Sequence, residues 1–279
     1  MSHNNQKKIA VINDISGFGR CSITVALPVI SYLRIQCCPL PTSIFSNHTG
    51  YDSYFFDDYT PHMAEYAANW KKLDLHFQGI ATGFIGSSQQ ISLIHDFIRD
   101  FKTENTLILV DPVMGDHGKV YSSYNSQMCD EMKKLVCCAD IITPNLTEAC
   151  LLTSTSYKKE NWTLKELTLM AESLSLLGPG KIVITGISLG EYIGNLIYEK
   201  NQDSKLLRTR KVGGERAGTG DLFASILIAD AVNDVPFATS VRRAAGFIKK
   251  CILESEKLSI PNADGVCFEE ILHTLKWKN

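Results

Sequence analysis

Gly218-Thr219-Gly220-Asp221 runs directly into Leu222-Phe223-Ala224-Ser225-Ile226-Leu227-Ile228-Ala229, an apolar, helix-favouring segment. Glycines let the backbone curl so that successive N–H groups face one point. The start of a helix adds unpaired N–H groups and the positive end of its dipole. Together they make a seat for an anion with no side chain in the way. A carboxylate at the junction repels a phosphate, but it suits another task. Asp221 can take a proton from an attacking hydroxyl while Gly218, Thr219 and Gly220 hold a transferring phosphoryl group with their amides. The same residues read equally as a helix N-cap, where Asp after Gly is common.

A second set of polar residues closes apolar runs. Leu107-Ile108-Leu109-Val110 ends in Asp111, and Asp116 follows Gly115 five residues later. Carboxylates at strand ends are ordinary ligands for a hard cation. Ile141-Ile142 ends in Thr143-Pro144-Asn145, with Glu148 three residues on. Asn145 and Glu148 fit a helix capping box. They also fit a charge cluster in which Glu148 and Asp116 gather around a magnesium–phosphate complex. The run 181–185 ends in Thr185-Gly186. Asp14, Asp111, Thr143 and Thr185 each close a predicted strand, and in a parallel sheet such ends share one edge, where ligands bind. Asp14 or Ser16 then faces the ligand.

Gly17-Phe18-Gly19-Arg20-Cys21-Ser22 is one residue from the dinucleotide fingerprint G-x-G-x-x-G/A. Ser22 replaces the third glycine, and no acidic residue stands in 35–47 to hold a ribose. An NAD-dependent oxidoreductase is therefore a weak alternative. Phe45-Ser46-Asn47-His48-Thr49-Gly50-Tyr51 crowds hydrogen-bonding side chains beside a glycine. It can read the rim of a polar aromatic ligand, or be a turn that satisfies its own backbone.

The elements that must position these residues are short apolar strands over 9–12, 79–85, 106–110, 141–142 and 181–185. They alternate with helices over 91–101, 126–136, 164–177 and 221–232. That alternation predicts βαβ units and a parallel sheet, and the continuous apolar runs fit strands buried on both faces. A hairpin around Gly194, followed by 205–210, predicts antiparallel strands late in the sheet. The C-terminal third reads as helices over 238–254 and 268–275. The polar stretch 153–163 reads as a surface loop, and without a linker or repeat a single domain over 1–279 is the simplest organisation.

Composition bounds the partners. The 279 residues are 44% hydrophobic and 21% charged, with a formal net charge of −2. That balance fits a soluble globular protein with a sizeable core, not a nucleic-acid binder. No apolar run approaches the length of a membrane span, and the polar residues 1–8 do not read as a signal peptide. The nine cysteines are odd in number and include two adjacent pairs, a pattern of reduced, small apolar residues in a cytoplasmic protein.

Taken in order, 45–51, 111–116, 143–148, Lys211-Val212 and 218–224 resemble the ribokinase-like superfamily of small-molecule kinases, and within it the pyridoxal kinase branch. The resemblance implies a three-layer α/β/α fold with a mostly parallel central sheet and some antiparallel edge strands. It implies ATP-dependent phosphorylation of the hydroxymethyl group of a B6 vitamer. Asp221 matches the catalytic base, and Gly218, Thr219 and Gly220 the anion hole. Asp116 and Glu148 resemble magnesium-linked acids, and Asn145 lies beside the ATP phosphates. Asp111, Thr143 and Thr185 match a potassium site. Thr185, Gly186, Val212 and Gly213 stand where the family contacts the nucleotide, while Thr49 and Phe84 match the wall of the ring pocket. Homodimers are common in the family.

One segment departs from the branch. Asp14 stands where pyridoxal kinases place a ring-contacting serine, and 14–19 is more similar to the opening of hydroxymethylpyrimidine kinases, which keeps that activity as the alternative. No cysteine directly precedes the Gly218 loop. A ligand-binding protein without catalysis is a further alternative, against which the intact 218–221 stretch speaks.

Overall fold

The computed structural model describes residues 2–122 and 124–275; Met1, in the polar stretch 1–8, lies outside them. In chain order the elements are β1 (Lys8–Phe18), α1 (Ser22–Tyr32), β2 (Gln36–Asn47), β3 (Phe56–Asp58), α2 (Thr60–Lys72), β4 (Gly79–Thr82), α3 (Ser88–Phe101), β5 (Leu107–Val110), β6 (Gly115–Asp116), β7 (Lys119–Val120), α4 (Ser126–Val136), β8 (Ile141–Ile142), α5 (Leu146–Thr153), α6 (Leu164–Leu176), β9 (Lys181–Leu189), β10 (Tyr192–Glu199), β11 (Lys205–Arg210), α7 (Thr219–Val232) and α8 (Phe237–Lys257). They fall into two compact units. The first comprises the residues up to Leu107 and from Val212 on, the second Ile108–Lys211.

In the first unit β1 pairs in parallel with β4 on one side and β2 on the other, and β3 lies antiparallel against β2. Ile9, Ile12 and Ile80 are wholly buried, as expected of strands covered on both faces. α7 buries residues on every side, including Leu222, Ile226 and Ile228, the mark of a helix enclosed by neighbours. Midway along it the buried Asp230 accepts from Ser240 and pairs with Arg243 of α8, which offsets the cost of burying a carboxylate. α3 carries Ile91, Ile94, Ile98 and Phe101 on one face, and Phe97 and Phe101 stack at 4.4 Å beside Phe77.

The pairing of β1 with β2 slips beside Asp14: Asn13 pairs with Pro41 and Ile15 with Ile44, so Thr42 and Ser43 of β2 stand opposite Asp14 alone. The extra residue makes β2 the bulged strand, and such a bulge bends the strand and increases the local twist.

In the second unit β5, β8 and β9 are parallel, β10 returns antiparallel to β9, and β11 is antiparallel to β10. β6 and β7 form a small separate hairpin. α5 and α6 each open with a capping box, Asn145 with Glu148 and Thr163 with Glu166.

The α/β class, with parallel strands and antiparallel ones at the edge, is as expected. Several details differ. β1 continues to Phe18, so Gly17 lies within a strand and not in the turn a dinucleotide fingerprint requires. The late hairpin turns at 190–191. Gly194 lies inside β10 opposite Ile187, next to a register shift, so this glycine marks an irregularity in a strand and not its end. The stretch from Glu269 to Thr274 is 3-10, not α. All nine cysteines are free. Among the described residues no helix is long and apolar enough to cross a membrane.

Replacing Thr163 by Ala removes the hydroxyl that accepts the Glu166 N–H and donates to the Glu166 carboxylate, while the Thr163 N–H still donates to Glu166. The expected cost is about 1 kcal/mol, read as a lower urea midpoint with an unchanged slope. An unchanged midpoint would show that the box contributes nothing.

Candidate functional site

In the first unit Gly218 caps α7 with φ 76°, a left-handed conformation. A Cβ there would overlap the Arg20 carbonyl oxygen, so both backbone angle and space demand glycine. Having no side chain, it makes no cap hydrogen bond. Asp221 sits three residues further on, in the first turn of α7, and is not the N-cap. Its Oδ1 accepts from Asn13 Nδ2 at 3.1 Å, and the Ser22 N–H also donates to it. Burial pushes the Asp221 carboxyl above the ordinary carboxylate range; the Ser22 N–H, the Asn13 amide and the nearby His48 ring pull the other way.

Asp14 is almost fully buried beside it. Ser16 Oγ donates to Asp14 Oδ2 at 2.9 Å, and Ser22 Oγ donates to Oδ1. Burial pushes the Asp14 carboxyl up to about 6, with the negative charge of Asp221 adding to the rise and the two serines opposing it. Ser22 has φ 57°, a strained angle for a residue with a side chain. It serves both acids, giving its N–H to one and its hydroxyl to the other. Cys21, remote in sequence, lies beside Gly218, and burial pushes its thiol up to about 12. A cysteine therefore adjoins the loop, although none directly precedes it in the chain.

Phe84 and Phe45 form an aromatic wall, their ring centroids 5.9 Å apart, with Phe56 4.9 Å from Phe45. Phe84 is fixed at both ends of its peptide: its N–H donates to Asn13 Oδ1 at 2.7 Å and its carbonyl accepts from Thr42 Oγ1 at 3.0 Å. Thr49 is exposed. His48 Nδ1 accepts from the Gly50 N–H at 3.1 Å, so Nε2 carries the proton that faces the Ala263 carbonyl at 2.7 Å. The stretch Phe45–Asn47 ends β2 and is not a free turn. Val212 is half-buried and Gly213 exposed. Next to them the buried Arg216 pairs with Glu256 at 2.9 Å and donates to the Ile260 carbonyl at 2.7 Å, which anchors the approach to Gly218.

In the second unit Asp111 and Thr143 directly follow β5 and β8, and Thr143 Oγ1 donates to Asp111 Oδ1 at 2.8 Å. Glu148 is buried, its two oxygens accepting the Met114 N–H at 3.1 Å and the Asn145 N–H at 2.7 Å. Burial raises the Glu148 carboxyl well above its ordinary value, and Asp111 and Asp116 add to the rise. Asn145 completes the cap, accepting from the Glu148 N–H at 2.9 Å and donating to the Gly115 carbonyl at 2.8 Å. Asp116 is exposed on the β6–β7 hairpin. Thr185 and Gly186 lie inside β9, not at its end, with the Thr185 N–H on the Pro144 carbonyl at 2.9 Å. Tyr121, absent from the sequence reading, has its phenol pushed up to about 12 by burial and then by Asp116, Glu148 and Asp111.

Asp111 and Asp116 both act on the Glu148 carboxyl, which marks a region short of positive charge, and the hard oxygens of the three acids fit Mg2+. Among the described residues no three or more His, Cys, Asp or Glu side chains are grouped to hold a metal by themselves. That suits an ion bound largely through nucleotide phosphates, as Mg2+ ordinarily is.

Residues 27–265 match the family described as phosphomethylpyrimidine kinase. A solved structure from Bacteroides thetaiotaomicron, assigned as a phosphomethylpyrimidine kinase, is 36% identical with a TM-score of 0.96, covering 100% of this chain and 97% of its own. A second crystal form of it, with pyridoxal, is 35% identical with a TM-score of 0.91, covering 99% and 97%. The pyridoxal kinase of Lactobacillus plantarum is 27% identical with a TM-score of 0.89, covering 96% of each chain. The Arabidopsis thaliana pyridoxal kinase is 29% identical over 68% of this chain, a match that spans 63% of that relative's length.

Asp14 titrates with a pKa above its unfolded value, so the folded state holds its proton more tightly. Its contribution to stability is full below about pH 4 and is lost as pH rises through about 6. Asp14→Asn is expected to flatten the fall in stability between pH 4 and 7, by on the order of 1–3 kcal/mol. Chemical denaturation at a series of pH values reads this, and identical slopes in the two proteins would contradict it.

Proposed function

Because the chain belongs to the phosphomethylpyrimidine kinase family, we propose that it is an ATP-dependent kinase acting on the hydroxymethyl group of a B6 vitamer, pyridoxal, pyridoxine or pyridoxamine, to give the 5'-phosphate. The observation that carries this reading is the placement of Asp221, a carboxylate kept in hydrogen-bonding contact with Asn13 and Ser22 in the first turn of α7. The substrate hydroxyl oxygen attacks the γ-phosphorus, its proton passes to Asp221, and ADP leaves. Amides of Gly218, Thr219 and Gly220 receive the charge that develops on the phosphoryl oxygens. Burial raises the Asp221 pKa and strengthens it as a base, while the Ser22 and Asn13 donors oppose that rise.

Phe84, Thr49, Asp14 and Ser16 are assigned to the aromatic ring and its rim. Val212, Gly213, Asn145, Thr185 and Gly186 are assigned to the nucleotide. Asp116 and Glu148 would hold Mg2+ together with the nucleotide phosphates, where it supplies positive charge against the phosphoryl oxygens. Asp111, Thr143 and Thr185 would hold K+. We further assign 1–279 to one kinase domain, active in the cytoplasm as a homodimer.

A B6 vitamer is favoured over a pyrimidine by the pyridoxal-bound form of the Bacteroides relative. The Asp14-Ile15-Ser16 segment favours hydroxymethylpyrimidine as the second reading. Asp221→Asn, folded as the wild type, is expected to lose roughly 10²–10⁴-fold in turnover in a coupled ADP-release assay with pyridoxal. Near-normal turnover would remove Asp221 from the chemistry. In the same assay kcat/KM is expected to be higher for a B6 vitamer than for hydroxymethylpyrimidine; the reverse order selects the second reading.

A further inference from the structure

Asn13 belongs to no motif that identifies the chain, yet its amide joins the two halves of the first unit's cluster. Its oxygen accepts two backbone N–H groups, from Asp14 at 2.9 Å and Phe84 at 2.7 Å. Its nitrogen donates to Asp221 Oδ1 at 3.1 Å. The orientation of the amide is forced, because only the carbonyl end can accept two N–H groups and only the NH2 end can donate to a carboxylate. Among side chains of this length only asparagine does both. Aspartate keeps the two acceptor contacts and cannot donate; leucine fills the space and makes none.

The fold reserves room for this amide. A Cβ at Gly83 would overlap the Asn13 side chain, so Gly83 is the residue that lets Asn13 reach across. Asn13 and Asp14 lie where the β1–β2 register shifts, and both approach Asp221.

We propose that Asn13 is a positioning residue that holds Asp221 in its ionised form and ties its location to Phe84, so that base and ring wall keep one spacing. The proposal rests on the assignment of Asp221 as the base. Asp221 is faced by Asp14 from β1, the Cys21 thiol and the Ser22 N–H from the head of α1, and the His48 ring from the segment after β2. Of these, Asp14 opposes ionisation, the Ser22 N–H and His48 support it, and burial keeps the Cys21 thiol protonated. Loss of the Asn13 donor therefore leaves Asp221 beside a second carboxylate with one fewer hydrogen bond.

The test compares wild type, Asn13→Ala and Gly83→Ala, the last of which keeps the amide and displaces it. In one arm the Asp221 carboxyl carbon is titrated by NMR in aspartate-labelled protein, its resonance identified by its absence in Asp221→Asn. In the other, kcat and KM for pyridoxal are followed against pH. Both variants are expected to raise the Asp221 midpoint and the acid limb of kcat by about one to two pH units. Turnover then returns toward the wild-type value at alkaline pH, and KM rises as Phe84 loses its anchor. A merely structural role lowers activity at every pH and leaves the midpoint in place; that result overturns the proposal. If Asn13→Ala does not fold, Gly83→Ala carries the comparison. Wild type that phosphorylates no vitamer overturns the functional reading instead, while the NMR midpoint still decides whether Asn13 holds the charge.

Discussion

A buried carboxylate proposed as a base must be kept charged, and in the first unit several polar groups converge on Asp221. Burial alone drives Asp221 toward its neutral form. Each unit of pKa is 1.36 kcal/mol, so two or three well-placed donors decide which form prevails. The chain supplies them with unusual local backbone. The register between β1 and β2 shifts beside Asn13 and Asp14, with the extra residue on β2. Ser22 adopts a left-handed angle that its side chain disfavours, and so serves Asp221 and Asp14 at once. Gly218 provides a turn into α7 that no other residue fits. Strain of this kind persists where the surrounding structure over-determines it.

That surrounding structure is α7 itself. The helix is apolar on all sides and packed between α1 and α8, with the Asp230–Arg243 pair as a deep ionic contact. A first turn mounted on so enclosed a helix has little freedom, which makes it a precise platform for Asp221. The second unit solves a related problem differently. Glu148 is buried among other acids, and its carboxylate is supported by two backbone N–H groups. Its capping role and its membership of the acidic cluster are thus one arrangement. The two readings of Asn145 and Glu148 do not compete, because the cap fixes the carboxylate beside Asp111.

Much of this is legible in the sequence, for identifiable reasons. Buried parallel strands must be continuously apolar, so 9–12, 106–110, 141–142 and 181–185 stand out. Gly218–Asp221 stands out because two glycines before an apolar helix and an acid within it have few structural uses. What stays hidden depends on register. The extent of β1, the register shift opposite it in β2 and the convergence of Asn13 with Asp221 are tertiary facts, set by strand pairing and by the space at Gly83. Gly194 misleads because a glycine inside a strand and a glycine at a turn look alike without the partner strand. Cys21 meets Gly218 only through the fold, and adjacency in the chain says nothing of it.

In the proposed function a phosphoryl group passes from ATP to an alcohol whose proton Asp221 removes. This transfer is tested most directly by following wild-type protein with ATP, Mg2+ and pyridoxal by 31P NMR. The account expects a phosphomonoester resonance that grows in step with ADP, one ester per ATP consumed. ADP accompanied only by inorganic phosphate, or no consumption of ATP with any B6 vitamer, would contradict it.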